Sequence, residues 1–381
     1  MRIAIDTRIA YYTGAGIGQY TVHLAQALAR LAPANQYILL QSRKDHRVLV
    51  EGANVQTHSL WTPSHHRLEQ GLLAAEFAAR PTLRGLRAEV LHSPDFIPPL
   101  RVHRFKSVIT VHDLAFLRWP HFLTEDSARY YGQIDAAIER ADHIIAVSES
   151  TKNDLVKLLG APRNKITVVY EAADPLYRPL AREEALASIR HKFPLPDEFI
   201  LFVSTIEPRK NIETLLKAYR RLRDTYKVTT GLVLAGSTGW LADQIFDTVE
   251  QLDLRQHVTF LGRVENGDLV YLYNLASCLA HPAYYEGFGL TPLEAMACGL
   301  PVVVSNVSSL PEVVGDAGLL IDPNNDEELA VALHRLLDDQ DLRATLRAKG
   351  LARARTFSWE RAAAETLAVY RRAVAGPEEL P

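Results

Sequence analysis

Short, almost continuously apolar runs recur along the chain at residues 2–7, 37–42, 90–94, 107–113, 143–149 and 166–171. Their β-branched and aliphatic content predicts strands. Amphipathic stretches with helical spacing fall between most of them, as at residues 18–31 and 124–141. Strands that are apolar throughout have no solvent-facing side, so the alternation predicts parallel sheets covered by helices on both faces. The rhythm stops over residues 172–198, a stretch with Pro175, Pro179, Pro194 and Pro196 that reads as a connection between domains. It restarts with strands at 199–204, 231–236, 258–262, 278–282, 301–305 and 318–322. Helices are expected at 212–226, 241–252, 292–298 and 327–338, and from about 359 to 374. The pattern therefore predicts an α/β protein of two doubly wound domains, residues 1–175 and 176–381, each binding ligands beyond the carboxyl ends of its strands. The last helix, about 359–375, is a candidate to cross back to the first domain.

A length of 381 residues gives each half enough chain for its own core, and a net charge of −3 gives no reason to expect a nucleic-acid partner. The two cysteines, Cys278 and Cys298, are too few for a disulfide framework, and no metal-ligand spacing stands out, so no metal is expected. No signal-peptide pattern and no apolar run of about 18 residues is seen, so the expectation is a cytoplasmic protein, at most peripheral at the inner face of the membrane.

The densest chemistry lies in residues 280–301, AHPAYYEGFGLTPLEAMACGLP. A strand ends near Pro282, Gly287 and Gly289 form a loop, and a helix opens near Thr291. Glycines at a strand-to-helix turn admit a ligand close to the backbone, and the helix N-terminus favours a phosphate. Thr291 with Glu294 reads as a capping box with Pro292 at the first helical position, which would account for Glu294 without a ligand. Glu286, beside the two glycines, has no such structural explanation. Arg209 and Lys210 follow the first strand of the second half, where they either neutralise a leaving diphosphate or sit in a solvated loop.

The Glu286-to-Glu294 spacing resembles the E-x7-E signature of retaining GT-B glycosyltransferases of family 4, and the likeness extends through Gly299-Leu300-Pro301-Val302-Val303 and Leu310-Pro311-Glu312-Val313-Val314. That resemblance implies a GT-B fold, two Rossmann-like domains facing a central cleft. It implies that Glu286 contacts donor-sugar hydroxyls and that the backbone of Gly287, Phe288, Gly289 and Leu290 holds the diphosphate. Glu294 would bind ribose, and Val264, in Gly262-Arg263-Val264, would lie near the base. Lys210 matches the family's lysine; Ser204 and Thr205 stand where an arginine is common, so Arg209 is inferred to take over part of that role.

In the first half, the glycine-rich turn Thr13-Gly14-Ala15-Gly16-Ile17-Gly18 precedes a helix, and Gly16 and Gly18 match a family loop at the donor diphosphate or acceptor. His112 ends a strand and matches a histidine that orients the donor sugar, with Asp113 fixing its loop. His92 and Asp95 either line the acceptor side or form a turn. Residues 66–87 mix Leu68, Leu72, Leu73 and Phe77 with four arginines, and read as a lipid-facing surface or as a core helix with a solvated face.

The expected activity is transfer of a hexose, with retention, from a nucleotide diphosphate sugar to a glycan or lipid-linked glycan. By resemblance the donor is GDP-mannose, with a UDP-sugar second; cations and helix-end amides would replace a metal. The sequence offers no clear nucleophile, which favours same-face attack over a covalent intermediate. A nucleotide-sugar epimerase and a silent sugar-nucleotide-binding scaffold are the rival readings.

Overall fold

The computed structural model describes residues 1–13, 16–99, 105–120, 124–239 and 242–375. It divides into two compact units: Met1–Glu171 together with the chain from Ser358 onward, and Ala172–Phe357. The chain passes between units at 171/172, a few residues before the proline-based boundary at 175/176. The last helix, Trp359–Ala375, packs on the Ile17–Leu31 helix of the first unit.

The first unit holds β1 (Arg2–Asp6), β2 (Gln36–Ser42), β3 (Val55–Leu60), β4 (Val90–Ser93), β5 (Lys106–Val111), β6 (His143–Ala146) and β7 (Ile166–Val168). They form one parallel sheet in the order β3-β2-β1-β4-β5-β6-β7. The second unit holds β8 (Phe199–Val203), β9 (Gly231–Ala235), β10 (Val258–Gly262), β11 (Cys278–His281), β12 (Val302–Ser305) and β13 (Leu319–Ile321). Their order, β10-β9-β8-β11-β12-β13, repeats the topology of the first sheet, also in parallel. In each sheet the order reverses once, between β1 and β4 and between β8 and β11, which opens a crevice at the carboxyl ends of those strands. The central strands are fully buried, as continuous apolar runs require.

Several details differ from the sequence expectation. The strand β3 (VQTHSL) was not expected; it sits at the sheet edge, where polar side chains meet solvent. The helix expected over 124–141 is two helices, Glu125–Tyr131 and Ile134–Arg140, interrupted at Gly132. The proline-rich connection contains a helix, Arg182–Ile189, packed on the Asn266–Leu275 helix. Residues 66–87 are a core element: in the Glu69–Ala79 helix, Leu73 and Phe77 are buried in a cluster with Ile38 and Leu40, while Leu68 and Leu72 remain exposed.

Candidate functional site

In the second unit the chain leaves β8 through a 3₁₀ turn, Pro208–Lys210, and enters the Ile212–Tyr226 helix at Asn211. Asn211 adopts the left-handed conformation (φ 58°), which asparagine tolerates better than most residues. Its amide donates to the carbonyls of Pro282 (2.9 Å) and Pro323 (2.7 Å), so the turn after β8 is tied to the end of β11.

This tie brings Lys210 to Glu286. Lys210 Nζ donates to Glu286 Oε1 at 2.5 Å, and His281 Nε2 lies 2.8 Å from the same oxygen. Arg209 Nη1 donates to the Tyr285 carbonyl at 3.2 Å and is 3.8 Å from Glu286 Oε2, while its guanidinium also pairs with Glu207 at 2.9 Å. Burial alone would raise the Glu286 carboxyl; Lys210, His281 and Arg209 reverse this and hold it well below the usual carboxylate range. Burial lowers Lys210, and Glu286 opposes that fall. His281, buried in β11, is pushed toward the neutral form chiefly by burial, and a neutral ring facing a carboxylate carries its proton on Nε2.

The loop after Glu286 is held from behind. The Glu286 N–H donates to Ser308 Oγ at 3.0 Å, and Ser309 Oγ lies 2.9 Å and 2.6 Å from the carbonyls of Glu286 and Phe288. Phe288 is buried edge-on against Phe357. Gly289 then has φ 107°, a conformation that side chains rarely adopt, and caps the Leu290–Ala297 helix. The capping box expected from Thr291 and Glu294 is therefore absent: the left-handed glycine starts the helix two residues earlier, no side chain caps it, and Pro292 is its third residue. The first-turn N–H groups of Leu290 and Thr291 have no carbonyl partner within the helix, which suits a phosphate oxygen.

Glu294 faces elsewhere. Tyr273 Oη donates to Glu294 Oε2 at 2.9 Å, and burial, with Asp174 adding to it, pushes this carboxyl up to about 8. The two acids of the signature are thus in opposite states: Glu286 ionised among cations, Glu294 poised near neutrality beside a phenol. Val264 follows β10 at the sheet edge and is partly buried. Gly262 accepts the Gly236 N–H at 2.8 Å, which joins the ends of β9 and β10.

In the first unit, Gly16 is the exposed N-cap residue of the Ile17–Leu31 helix, and a Cβ on Gly18 would stand 2.1 Å from the Thr13 carbonyl oxygen, so only glycine fits there. Gly14 and Ala15 lie outside the described residues. His112 directly follows β5, with Nδ1 2.7 Å from Glu171 Oε1 and Nε2 2.9 Å from the Pro94 carbonyl. Burial would lower its pKa, but Glu171, Asp95 and the Pro94 carbonyl outweigh it and raise the value. Two acceptors on two ring nitrogens describe an imidazolium that donates on both sides, not a nucleophile. Asp113 Oδ1 accepts the Ala115 N–H at 3.0 Å and fixes the loop. His92 does not line an open surface: it is fully buried, bonded to Thr110 and to Tyr370 of the last helix, and burial pushes it down to about 3.

Sequence reasoning missed His281 and Glu171. His281 sits inside an apolar strand, and Glu171 is 59 residues from the histidine it holds, so no local pattern marks either.

Comparison with known proteins places this geometry. Residues 14–175 match the Glycosyltransferase Family 4 domain and residues 186–353 the Glycosyl transferases group 1 domain. The chain is 34% identical over 385 residues to the O-antigen chain mannosyltransferase B of Escherichia coli, covering 97% of this chain and 100% of that protein. It is also 34% identical over 260 residues to a serotype-specific mannosyltransferase of Escherichia coli, covering 67% of this chain but only 32% of that longer protein. A sucrose-phosphate synthase from Thermosynechococcus elongatus shares the fold with a TM-score of 0.80, at 24% identity over 98% of this chain and 99% of that one. The chain belongs to glycosyltransferase family 4 and is a GT-B hexosyltransferase of the retaining type.

Proposed function

We propose that the enzyme transfers mannose from GDP-mannose to a glycan or lipid-linked glycan during cell-surface polysaccharide synthesis, at the inner face of the membrane. The observation that carries this reading is the 34% identity to an O-antigen mannosyltransferase along nearly the whole chain. Among the described residues no helix is long and apolar enough to cross a membrane.

In this reading the diphosphate lies against the first turn of the Leu290–Ala297 helix and the backbone of Gly287–Leu290. Lys210 and Arg209 meet the negative charge that develops as the bond to the sugar breaks. Glu286 keeps Lys210 in place before the donor arrives and accepts hydrogen bonds from sugar hydroxyls once it is bound. Glu294 receives the ribose hydroxyls. Retention follows from same-face attack by the acceptor. The charge is met by protein cations and amides, without a metal. The test is GDP release from GDP-mannose in excess EDTA with a mannose-containing acceptor. Undiminished release is expected; inactivation by EDTA that Mg²⁺ or Mn²⁺ reverses would refute metal-independence, and consumption of UDP-sugars alone would refute the donor.

A further inference from the structure

The first unit spends buried charge on a loop that the donor chemistry does not use. Arg8 is 1% exposed and donates to Asp6 at 2.5 Å, Glu69 at 2.6 Å and the carbonyls of Thr62 and Pro63 at 3.0 and 3.1 Å. Glu76, also buried, accepts the N–H groups of Trp61 and Thr62 and the Thr62 hydroxyl at 2.8–2.9 Å. The segment between β3 and the Glu69–Ala79 helix is thus clamped from both sides by charges whose desolvation is costly.

What the clamp holds is His65, in the left-handed conformation at φ 59°. Backbone strain in a bulky residue persists only where its surroundings over-determine it, and such residues gather at functional sites. Its ring stacks on Tyr130, with centroids 4.7 Å apart, and its Nε2 lies 3.5 Å from Asp95 Oδ2. Tyr130 Oη donates to that same oxygen at 2.6 Å. Among the described residues nothing donates to Asp95 Oδ1. The His65 side chain is 39% exposed and that of Asp95 11%.

The place is also informative. Asp95 follows β4, so this end of the pair sits where the strand order reverses between β1 and β4. Pro94, next to Asp95, carries the carbonyl that His112 holds.

We propose that His65 and Asp95 form a subsite for the acceptor, taking a neutral sugar residue by its hydroxyls. One hydroxyl donates to Asp95 Oδ1, a neighbouring hydroxyl bonds the His65 ring edge, and the imidazole stacked on Tyr130 fixes their direction. Arg8 is already paired with Asp6 and Glu69, and Asp95 adds a further carboxylate beside Glu69, so among the described residues the surroundings hold no unpaired cation for an anionic sugar or a phosphate. The inference rests on the reading above that the acceptor is a glycan.

The test uses mannotriose as the probe, with Asp95→Asn, which keeps the acceptor for Tyr130, and His65→Gly, which also relieves the backbone. Losing a hydrogen bond to a charged group should raise the KM for mannotriose at least about tenfold. Affinity for GDP alone should stay within about twofold, because its proposed contacts lie in the second unit. Saturation-transfer NMR on the same proteins should show mannotriose binding to wild type and a loss in both variants. Unchanged mannotriose binding in both variants, no binding to wild type, or an equal loss of GDP affinity would overturn the subsite. Failure of the GDP-mannose reading is separate: wild type would release no GDP from GDP-mannose, while mannotriose binding still depended on Asp95.

Discussion

The signature's two glutamates differ in their surroundings, and that difference predicts different phenotypes. Glu286 is ionised against Lys210, His281 and Arg209, so Glu286→Gln should lower turnover while leaving calorimetric GDP affinity close to wild type. Glu294 should instead serve the nucleoside. With its carboxyl pushed up to about 8, only the ionised fraction accepts ribose hydroxyls fully, so GDP affinity should rise from pH 6 to pH 8. Glu294→Gln should weaken GDP by about 1–3 kcal/mol and flatten that rise. The reverse pattern in the two variants would mean that the donor runs the other way. His112 gives a second pH effect. Its folded pKa is raised, so the stability from its pairing with Glu171 is fully present below the ordinary histidine value of about 6.5 and lost as pH rises through the folded value. Melting temperatures across that window should fall in wild type, and the fall should shrink in Glu171→Gln.

At the level of elements, the site depends on how strand ends are joined. Asn211 links the turn after β8 to the chain after β11 and β13 through two carbonyls, and is itself 3% exposed. Asn211→Ala would leave both carbonyls without this donor and place alanine at positive φ. A loss of about 2–4 kcal/mol is expected from one or two unsatisfied buried groups and the backbone term. Urea unfolding with an unchanged m-value would measure it; a loss below about 0.5 kcal/mol would show that the tie is dispensable. Gly289 has the comparable role on the other side, since its positive φ aims the first turn of the Leu290–Ala297 helix.

For the whole molecule, the repeated strand order was legible because fully buried parallel strands leave continuous apolar runs. Where a segment lacked that burial it was not legible: β3 is a polar edge strand, and the Gln340–Ala354 helix buries only Leu346 and Gly350. Glu286, Lys210 and the glycine loop were visible as a local pattern with a known likeness. His281, Glu171 and the Arg8 clamp were not, because each joins residues distant in sequence or masked by an apolar run. Thr291-Pro292 misled because cap residues were present in the right spacing while Gly289 had already begun the helix. The central claim is that the cluster around Lys210 and Glu286 carries transfer from the nucleotide sugar. The most direct measurement is turnover of GDP-mannose by Lys210→Ala, with circular dichroism as a check that the variant is folded. The predicted result is a fall of about 10²–10³ in kcat, the usual loss for a group that stabilises transition-state charge. Wild-type turnover by a folded Lys210→Ala enzyme would contradict it.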